Sequence, residues 1–154
     1  MLNPGTPAPD FELKNSQGES FSLSDLQNKK NVVLYFYPKN DTRGCTAEAC
    51  SFRDQFEIFQ EHGAEVIGVS SDDLASHQKF STKYQLPFTL LSDPAGKVAK
   101  MYGVPKTLGL IPGRATFVID KSGTIQYAFN SQLKPLEHVH NALRILQQLS
   151  SDNT

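Results

Sequence analysis

Cysteine is scarce in this sequence: Cys45 and Cys50 are the two among 154 residues. Two are too few for a disulfide framework, and a domain of this length buries enough core not to need one. Charge of one sign is also missing. Fifteen basic against sixteen acidic residues leave a formal charge of −1, which removes the electrostatic footprint of a nucleic-acid binder. No apolar run approaches the ~18 residues that span a membrane. The opening, MLNPGTPAPDFEL, lacks the basic, apolar and cleavage regions of a secretory signal and the Arg/Ser richness of a transit peptide, although a processed mature form would look the same. Internal repeats, low-complexity tracts and interdomain linkers are absent too. What remains is 38% hydrophobic and 20% charged, the balance of an ordinary globular chain. The expectation is a single domain over 1–154 with a frayed tail from 150, in a cytoplasmic, reducing compartment or, if processed, an organelle stroma.

The apolar periodicity predicts the elements in order. Three prolines, at 4, 7 and 9, mark an extended arm. Phe11-Glu12-Leu13 and Ser20-Phe21-Ser22-Leu23 alternate around the turn residues 15–18, predicting a β-hairpin. Residues 32–37 form a continuous apolar run suited to a strand buried on both faces, and Pro38 ends it. From Thr46, Ala49, Phe52, Phe56 and Phe59 recur at helical spacing up to His62-Gly63. Strands follow at 64–69 and 88–91, with a helix between them capped by 70–73 and carrying Leu74, Phe80 and Tyr84. A short helix with Val98, Ala99 and Tyr102 leads to an apolar Gly/Pro-rich loop, 103–113. Strands 115–119 and 124–129 flank a turn at 120–123, and a helix over 135–149 presents Leu136, Val139, Leu143 and Leu146. Helices and strands that alternate, then an antiparallel hairpin and a final helix, predict an α/β fold with a central mixed sheet flanked by helices.

The chemistry concentrates in PKNDTRGCTAEAC, residues 38–50. Cys45 falls where a buried strand ends and a helix begins, a place of unpaired backbone N–H groups that favours an anion such as a thiolate. Gly44 lets the backbone turn tightly and approach a small ligand. Thr42 offers a hydroxyl for capping or for a polar ligand. Glu48 could cap the loop or hold an arginine, and Arg43 adds a positive charge. None of these is specific alone. The cysteine spacing says more. Five residues of continuous helix place the two Cα atoms roughly 8–9 Å apart, beyond the ~7 Å reach of a disulfide. Pairing them requires the first turns of the helix to unwind.

Plainer readings stand beside these. A helical cysteine such as Cys50 is often a small buried hydrophobe. A metal needs three or four convergent ligands, whereas His138 and His140 diverge on a helix and His62 and His77 read as solvated positions. A thioredoxin-type C-x-x-C is absent.

Pro38, Thr42 and Cys45 form a P-x-x-x-T-x-x-C signature, and YFYPKNDTRGCTAEACSFRD, AEVIGVSSDDLASHQKF, LPFTLLSD, YGV and GRATFVID carry the likeness over nearly the whole chain. The sequence resembles peroxiredoxins of the bacterioferritin comigratory protein type, also called peroxiredoxin Q, especially plant chloroplast and cyanobacterial members. That resemblance implies a thioredoxin-like fold and a thiol peroxidase acting on hydrogen peroxide and alkyl hydroperoxides, with no cofactor and no metal. It implies that Cys45 is the peroxidatic cysteine and that Thr42 contacts thiolate and peroxide. It also implies that Arg114 stabilises the thiolate and polarises the peroxide, and that Pro38 shields the site. Gly44 joins the substrate-binding set. Cys50 matches the resolving cysteine, giving an intramolecular disulfide that a thioredoxin-like donor reduces, and relatives of this type are commonly monomeric. Read from sequence alone, Arg114 is a charge at a strand start. The alternative function is a peroxide-responsive redox sensor or holdase on the same fold.

One departure is Arg43, where this type often has proline; it should loosen the loop and add positive potential. The 103–113 loop, with Val104, Leu108, Leu110 and Ile111, either covers the core or forms an apolar collar at the site.

Overall fold

The third strand, β3 (Asn31–Phe36), is buried at all six positions and forms the middle of the molecule. In this computed structural model, which describes residues 1–106 and 112–152 and the side chains as far as Leu149, the sheet has seven strands. They are β1 (Glu12–Asn15), β2 (Ser20–Ser22), β3, β4 (Ala64–Ser70), β5 (Thr89–Ser92), β6 (Ala115–Ile119) and β7 (Ile125–Asn130), in the spatial order β2-β1-β5-β4-β3-β6-β7. β3, β4 and β5 run parallel. β6 lies antiparallel along the other side of β3, and β7 pairs antiparallel with β6. The expected N-terminal hairpin joins the sheet through β1, which pairs antiparallel with β5. This is the mixed sheet that the order of elements predicts, in the thioredoxin-like arrangement that the resemblance implies.

Five helices, α1 (Arg43–Asp54), α2 (Phe56–Glu61), α3 (Leu74–Tyr84), α4 (Lys97–Met101) and α5 (Pro135–Asp152), cover the sheet. The twofold period of β3 divides the core between its faces. Val33, Tyr35 and Tyr37 pack with Cys45, Ala49 and Phe52 of α1, Phe59 of α2, Phe80 of α3, and Val139, Ala142 and Leu146 of α5. Val32, Leu34 and Phe36 face the other way, onto Val98 of α4, Tyr102 and Phe11. Tyr35 stacks on Phe52 with ring centroids 4.5 Å apart, so α1 is seated on the centre of the sheet.

Several boundaries differ from the periodicity. The helix expected to run unbroken from Thr46 to residue 62 begins at Arg43 and breaks at Gln55, whose φ of −100° and ψ of 6° leave the helical region. There the Gln55 amide reaches both the Ser51 and the Arg53 carbonyl, the tightening of a helix end. α5 runs on to Asp152, and its inward face is His138, Val139, Ala142 and Leu146, each fully buried. Leu136, expected on that face, points outward and is 45% exposed. His77, expected to be solvated, is fully buried in α3, where Asn40 and Tyr37 meet its ring. Of the apolar loop, Leu108, Leu110 and Ile111 lie outside the described residues; Val104 is half-buried against the Tyr102 side of the core.

Candidate active site

Three elements meet at the C-terminal end of β3. The chain leaves β3 through Tyr37 and half-buried Pro38, then enters α1 at Arg43. The tight turn needed here falls at Asp41, whose φ is 61°, a left-handed conformation that disfavours most side chains. Lys83 Nζ at 2.9 Å and Tyr84 Oη at 3.1 Å from its carboxylate hold it there. Behind the loop, the Asn40 amide donates to Asp72 Oδ2 at 2.9 Å, and the Tyr37 hydroxyl donates to Asn40 Oδ1 at 2.6 Å. These contacts fix residues 37–41 against α3.

Cys45 occupies the first turn of α1 and, at 1% exposure, faces the sheet. Cys45, Glu48, Ala49 and Phe52 share this inner face, at helical spacing. Arg114 arrives from the other side of β3. Because Phe36 pairs with Ala115 in the antiparallel register, the residue before β6 lands beside the strand end from which the cysteine loop departs. Its Nη2 lies 3.5 Å from Cys45 Sγ, its Nη1 donates to Glu48 Oε1 at 2.6 Å, and its Nε donates to the Gln132 carbonyl at 3.3 Å. One buried guanidinium thus joins the sulfur to a fully buried carboxyl.

Gly44 is explained by this arginine. A Cβ on it would stand 3.0 Å from Arg114 Nη2 and 3.7 Å from Pro135 Cγ. Its backbone is ordinary helix, so the glycine admits a close neighbour, while the turn expected of it is made by Asp41. Thr42 is the N-terminal cap by backbone, with φ −89° and ψ 157°, yet its side chain caps no N–H group. The hydroxyl donates to the Lys39 carbonyl at 2.8 Å, which leaves its oxygen free to accept. Cys50 follows on the same helix, half-buried, and both cysteines are free thiols. With residues 43–54 helical, their Cα atoms are roughly 8–9 Å apart.

Glu48 reaches a second group, one that the sequence gives no role in the site. Its Oε2 is buried without a hydrogen-bond partner and lies 3.9 Å from His138 Nδ1. His138 Nε2 is 2.9 Å from the Ser131 carbonyl, which only accepts, so Nε2 carries the proton. Nδ1 then accepts from the Thr116 hydroxyl at 2.8 Å. Burial pulls the imidazole down, to about 4, against the Ser131 carbonyl and together with the charge of Arg114. A neutral ring therefore faces Glu48 and gives it no donor. Burial pushes the Glu48 carboxyl up, to about 8, while Arg114 pulls it down. The 2.6 Å ion pair alone would favour a fully ionised Glu48, but the unmet Oε2 settles the direction upward. Burial also works against the charge of Arg114, yet the Glu48 carboxylate and the Cys45 sulfur outweigh it and hold the guanidinium above its usual range. Of this inner group the sequence offered Glu48 as an arginine holder. Only one signal marked His138: its register with Val139, Ala142 and Leu146. Nothing marked Thr116.

The model of the AhpC/TSA family matches residues 4–128. The chain belongs to that family. Among its relatives, the chloroplastic peroxiredoxin Q of Oryza sativa subsp. japonica is 51% identical over 149 residues, 96% of this chain and 68% of that protein. The Arabidopsis thaliana peroxiredoxin Q is 51% identical over 147 residues, 95% of this chain and 68% of that protein. Among solved structures, peroxidoxin BcpB from Mycobacterium tuberculosis superposes with a TM-score of 0.89 at 36% identity, covering 96% of this chain and 98% of that one. The Xanthomonas campestris bacterioferritin comigratory protein, described for its alkyl peroxide reduction activity, gives 0.83 at 29% identity, covering 91% and 92%. This peroxiredoxin is accordingly a thiol peroxidase, an oxidoreductase that reduces peroxides. Among its described residues no helix is long and apolar enough to cross a membrane.

Proposed function

We propose that Cys45 is the peroxidatic cysteine and Cys50 the resolving one, in a cycle that a thioredoxin-like donor completes. The observation that carries this assignment is Arg114 Nη2 at 3.5 Å from the buried Cys45 sulfur. A guanidinium is always charged and presents several fixed donors, so it can face the thiolate and the incoming peroxide oxygens together. The Cys45 thiolate attacks the terminal, hydrogen-bearing oxygen of ROOH. The S–O bond forms as the O–O bond breaks, and the hydrogen stays on the transferred oxygen. The departing alkoxide takes from solvent the equivalent of the proton that the thiol released on ionising, and leaves as ROH. Cys45 is then a sulfenic acid. The Thr42 oxygen, whose own hydrogen is engaged by the Lys39 carbonyl, accepts a hydrogen bond from the hydroperoxide O–H, and Pro38 limits water. Hydrogen peroxide and organic hydroperoxides are the substrates.

Condensation of the sulfenic acid with the Cys50 thiol expels water and forms the disulfide. Helix geometry forbids that bond while α1 stays folded, so α1 opens first. The contacts to be released are the Tyr35–Phe52 stack and the links from α3, where Arg53 Nη1 donates to the Tyr84 carbonyl at 2.8 Å and Lys83 holds Asp41. A donor dithiol then returns both cysteines to thiols. The chloroplastic relatives support an organelle stroma as the setting, the cytoplasm being the alternative, and the working form is a monomer.

One equivalent of hydrogen peroxide should convert the reduced protein to an intramolecular Cys45–Cys50 disulfide, seen by mass spectrometry of non-reduced peptides. Cys50→Ser should instead hold a sulfenic acid on Cys45. The assignment fails if Cys45→Ser still consumes peroxide at the wild-type rate, or if Cys50→Ser recycles with thioredoxin as the wild type does. Single oxidation without turnover would place the chain among sensors.

A further inference from the structure

His77 is a buried imidazole that the peroxide chemistry leaves unused. It is fully buried on α3, and the residue that reaches it is Asn40, itself 6% exposed and two places before Thr42. Asn40 commits its backbone N–H and both ends of its side chain to this corner. The N–H donates to Asp72 Oδ2 at 2.9 Å, which also accepts from the Ser70 hydroxyl at 2.6 Å. Asn40 Oδ1 accepts from the Tyr37 hydroxyl at 2.6 Å, and Nδ2 donates to Ser76 Oγ at 3.1 Å and to His77 Nδ1 at 3.0 Å. A segment that merely connected β3 to α1 would run over the surface with its polar groups in water.

These bonds hold for one protonation state of the ring. The 2.6 Å between Tyr37 and Asn40 is an O–H···O distance, so the amide oxygen faces Tyr37 and the amide nitrogen faces His77. Nδ1 therefore accepts, which makes the ring neutral with its proton on Nε2. A second proton would set N–H against N–H, and the Tyr37 oxygen at 3.4 Å is too far to receive the new hydrogen well. Burial pulls the imidazole below its usual value. It prevails over Asp72, the Leu91 and Ser70 carbonyls and Asp73, which favour charge, and neither carbonyl completes a hydrogen bond to Nε2. The Tyr37 phenol is pushed well up by burial and stays neutral.

We propose that Asn40 and His77 are positioning residues for the peroxide reaction: while the ring is neutral they latch residues 37–41 so that Thr42 and Cys45 meet the substrate together, and a second proton on His77 releases the latch. The inference rests on the assignment of Cys45 and Cys50 and adds what holds and frees their loop. Linkage makes the release reciprocal. A ring that must stay neutral to hold the loop takes a proton from solvent more readily once the loop has moved. The Cys45–Cys50 bond requires the start of α1 to unwind, so the disulfide form is the unlatched one, with His77 back toward its ordinary 6.5. The latch contributes stability above 6.5 and loses it as pH falls through the lower, latched value. Acid thus favours the open loop, and rising pH favours return to the peroxide-ready form.

The test follows the His77 ring by NMR, its resonance assigned by its loss in His77→Gln, in the reduced protein and after one equivalent of hydrogen peroxide. Its midpoint should rise by about one pH unit on disulfide formation, which mass spectrometry checks in the same sample. In Asn40→Asp the new carboxylate accepts from a charged ring and cannot donate to a neutral one, so the reduced protein should already show the raised midpoint. Single-turnover consumption of hydrogen peroxide, without reductant, is then compared in wild type and Asn40→Ala. At neutral pH the variant should be roughly tenfold slower. The ratio should approach unity as pH falls through the His77 midpoint, where the wild type loses its latch as well. A side chain that served folding alone would slow the variant equally at every pH. An unmoved midpoint on disulfide formation overturns the latch, and so does a constant ratio across the titration. Failure of the cysteine assignment is read apart from this, as a digest without the Cys45–Cys50 peptide, and the rate ratio then still decides the latch.

Discussion

Glu48 gives a prediction that can be worked through to a magnitude. Its carboxyl moves from an ordinary 4.5 to about 8 in the folded protein, chiefly through burial. Between those values the folded chain holds a proton that the unfolded chain has released. Stability from this group is therefore fully present below 4.5 and is lost as pH rises through about 8. At ~1.4 kcal/mol per pH unit the whole span amounts to about 5 kcal/mol. His138 works in the opposite sense. Its ring falls from 6.5 to about 4, so its contribution of about 3 kcal/mol is present above 6.5 and disappears as pH falls through 4. The two slopes cancel between 4.5 and 6.5, leaving a plateau, and above 6.5 the Glu48 decline stands alone. Glu48→Gln keeps an oxygen for Arg114 Nη1 and removes the titration. Urea midpoints under reducing conditions, measured from pH 4 to 9, should fall between 6.5 and 8 in the wild type and stay level in Glu48→Gln. Parallel curves would refute the claim that burial and an unmet Oε2 outweigh the arginine.

Other consequences follow from named contacts. Gly44→Ala puts a methyl 3.0 Å from Arg114 Nη2, so the guanidinium must shift, and single-turnover peroxide reduction should slow about tenfold; an unchanged rate would remove Gly44 from the site. Lys83→Met releases Asp41 from its 2.9 Å contact, and α1 should open more readily, speeding disulfide formation roughly two- to fivefold. High salt should do the same to the wild type and nothing to the variant. Arg43 stands at the first helical position of α1, after an extended Thr42, where proline is well accommodated. Arg43→Pro should stiffen the helix start and slow disulfide formation after oxidation; equal rates would show that this turn is not the one that opens.

The elements that the sequence reveals are those whose signal is local. β3 reads as a continuous apolar run because both faces of a central strand are covered. The hairpin of β6 and β7 reads from its turn, and Cys45 and Cys50 from their rarity and spacing. Two of the failures share one cause, that polar groups buried by tertiary partners look like surface. His77 sits in a helix of mixed composition, and its burial depends on Asn40 and Tyr37 from a loop some forty residues earlier. Leu136 continues an apolar spacing that His138 in fact takes over, because Thr116 and Ser131 satisfy both ring nitrogens. The break at Gln55 carries no proline or glycine to announce it.

Arg114 marks the boundary between these cases. A chain-length of 69 residues separates it from Cys45, and no local pattern connects them. Family likeness supplied the pairing, and the register of β6 against β3 supplies its cause. If Phe36 pairs with Ala115, the preceding residue must lie beside the exit of β3, whatever its type. A slip of one residue would turn the arginine to the opposite face of the sheet, toward Phe36 and Tyr102 rather than Cys45. Catalytic geometry here is thus a property of strand register. Substitutions that weaken the pairing of Leu34 with Phe117 or Phe36 with Ala115, at the centre of the core, should damage peroxide chemistry before they damage the helix that carries the cysteines.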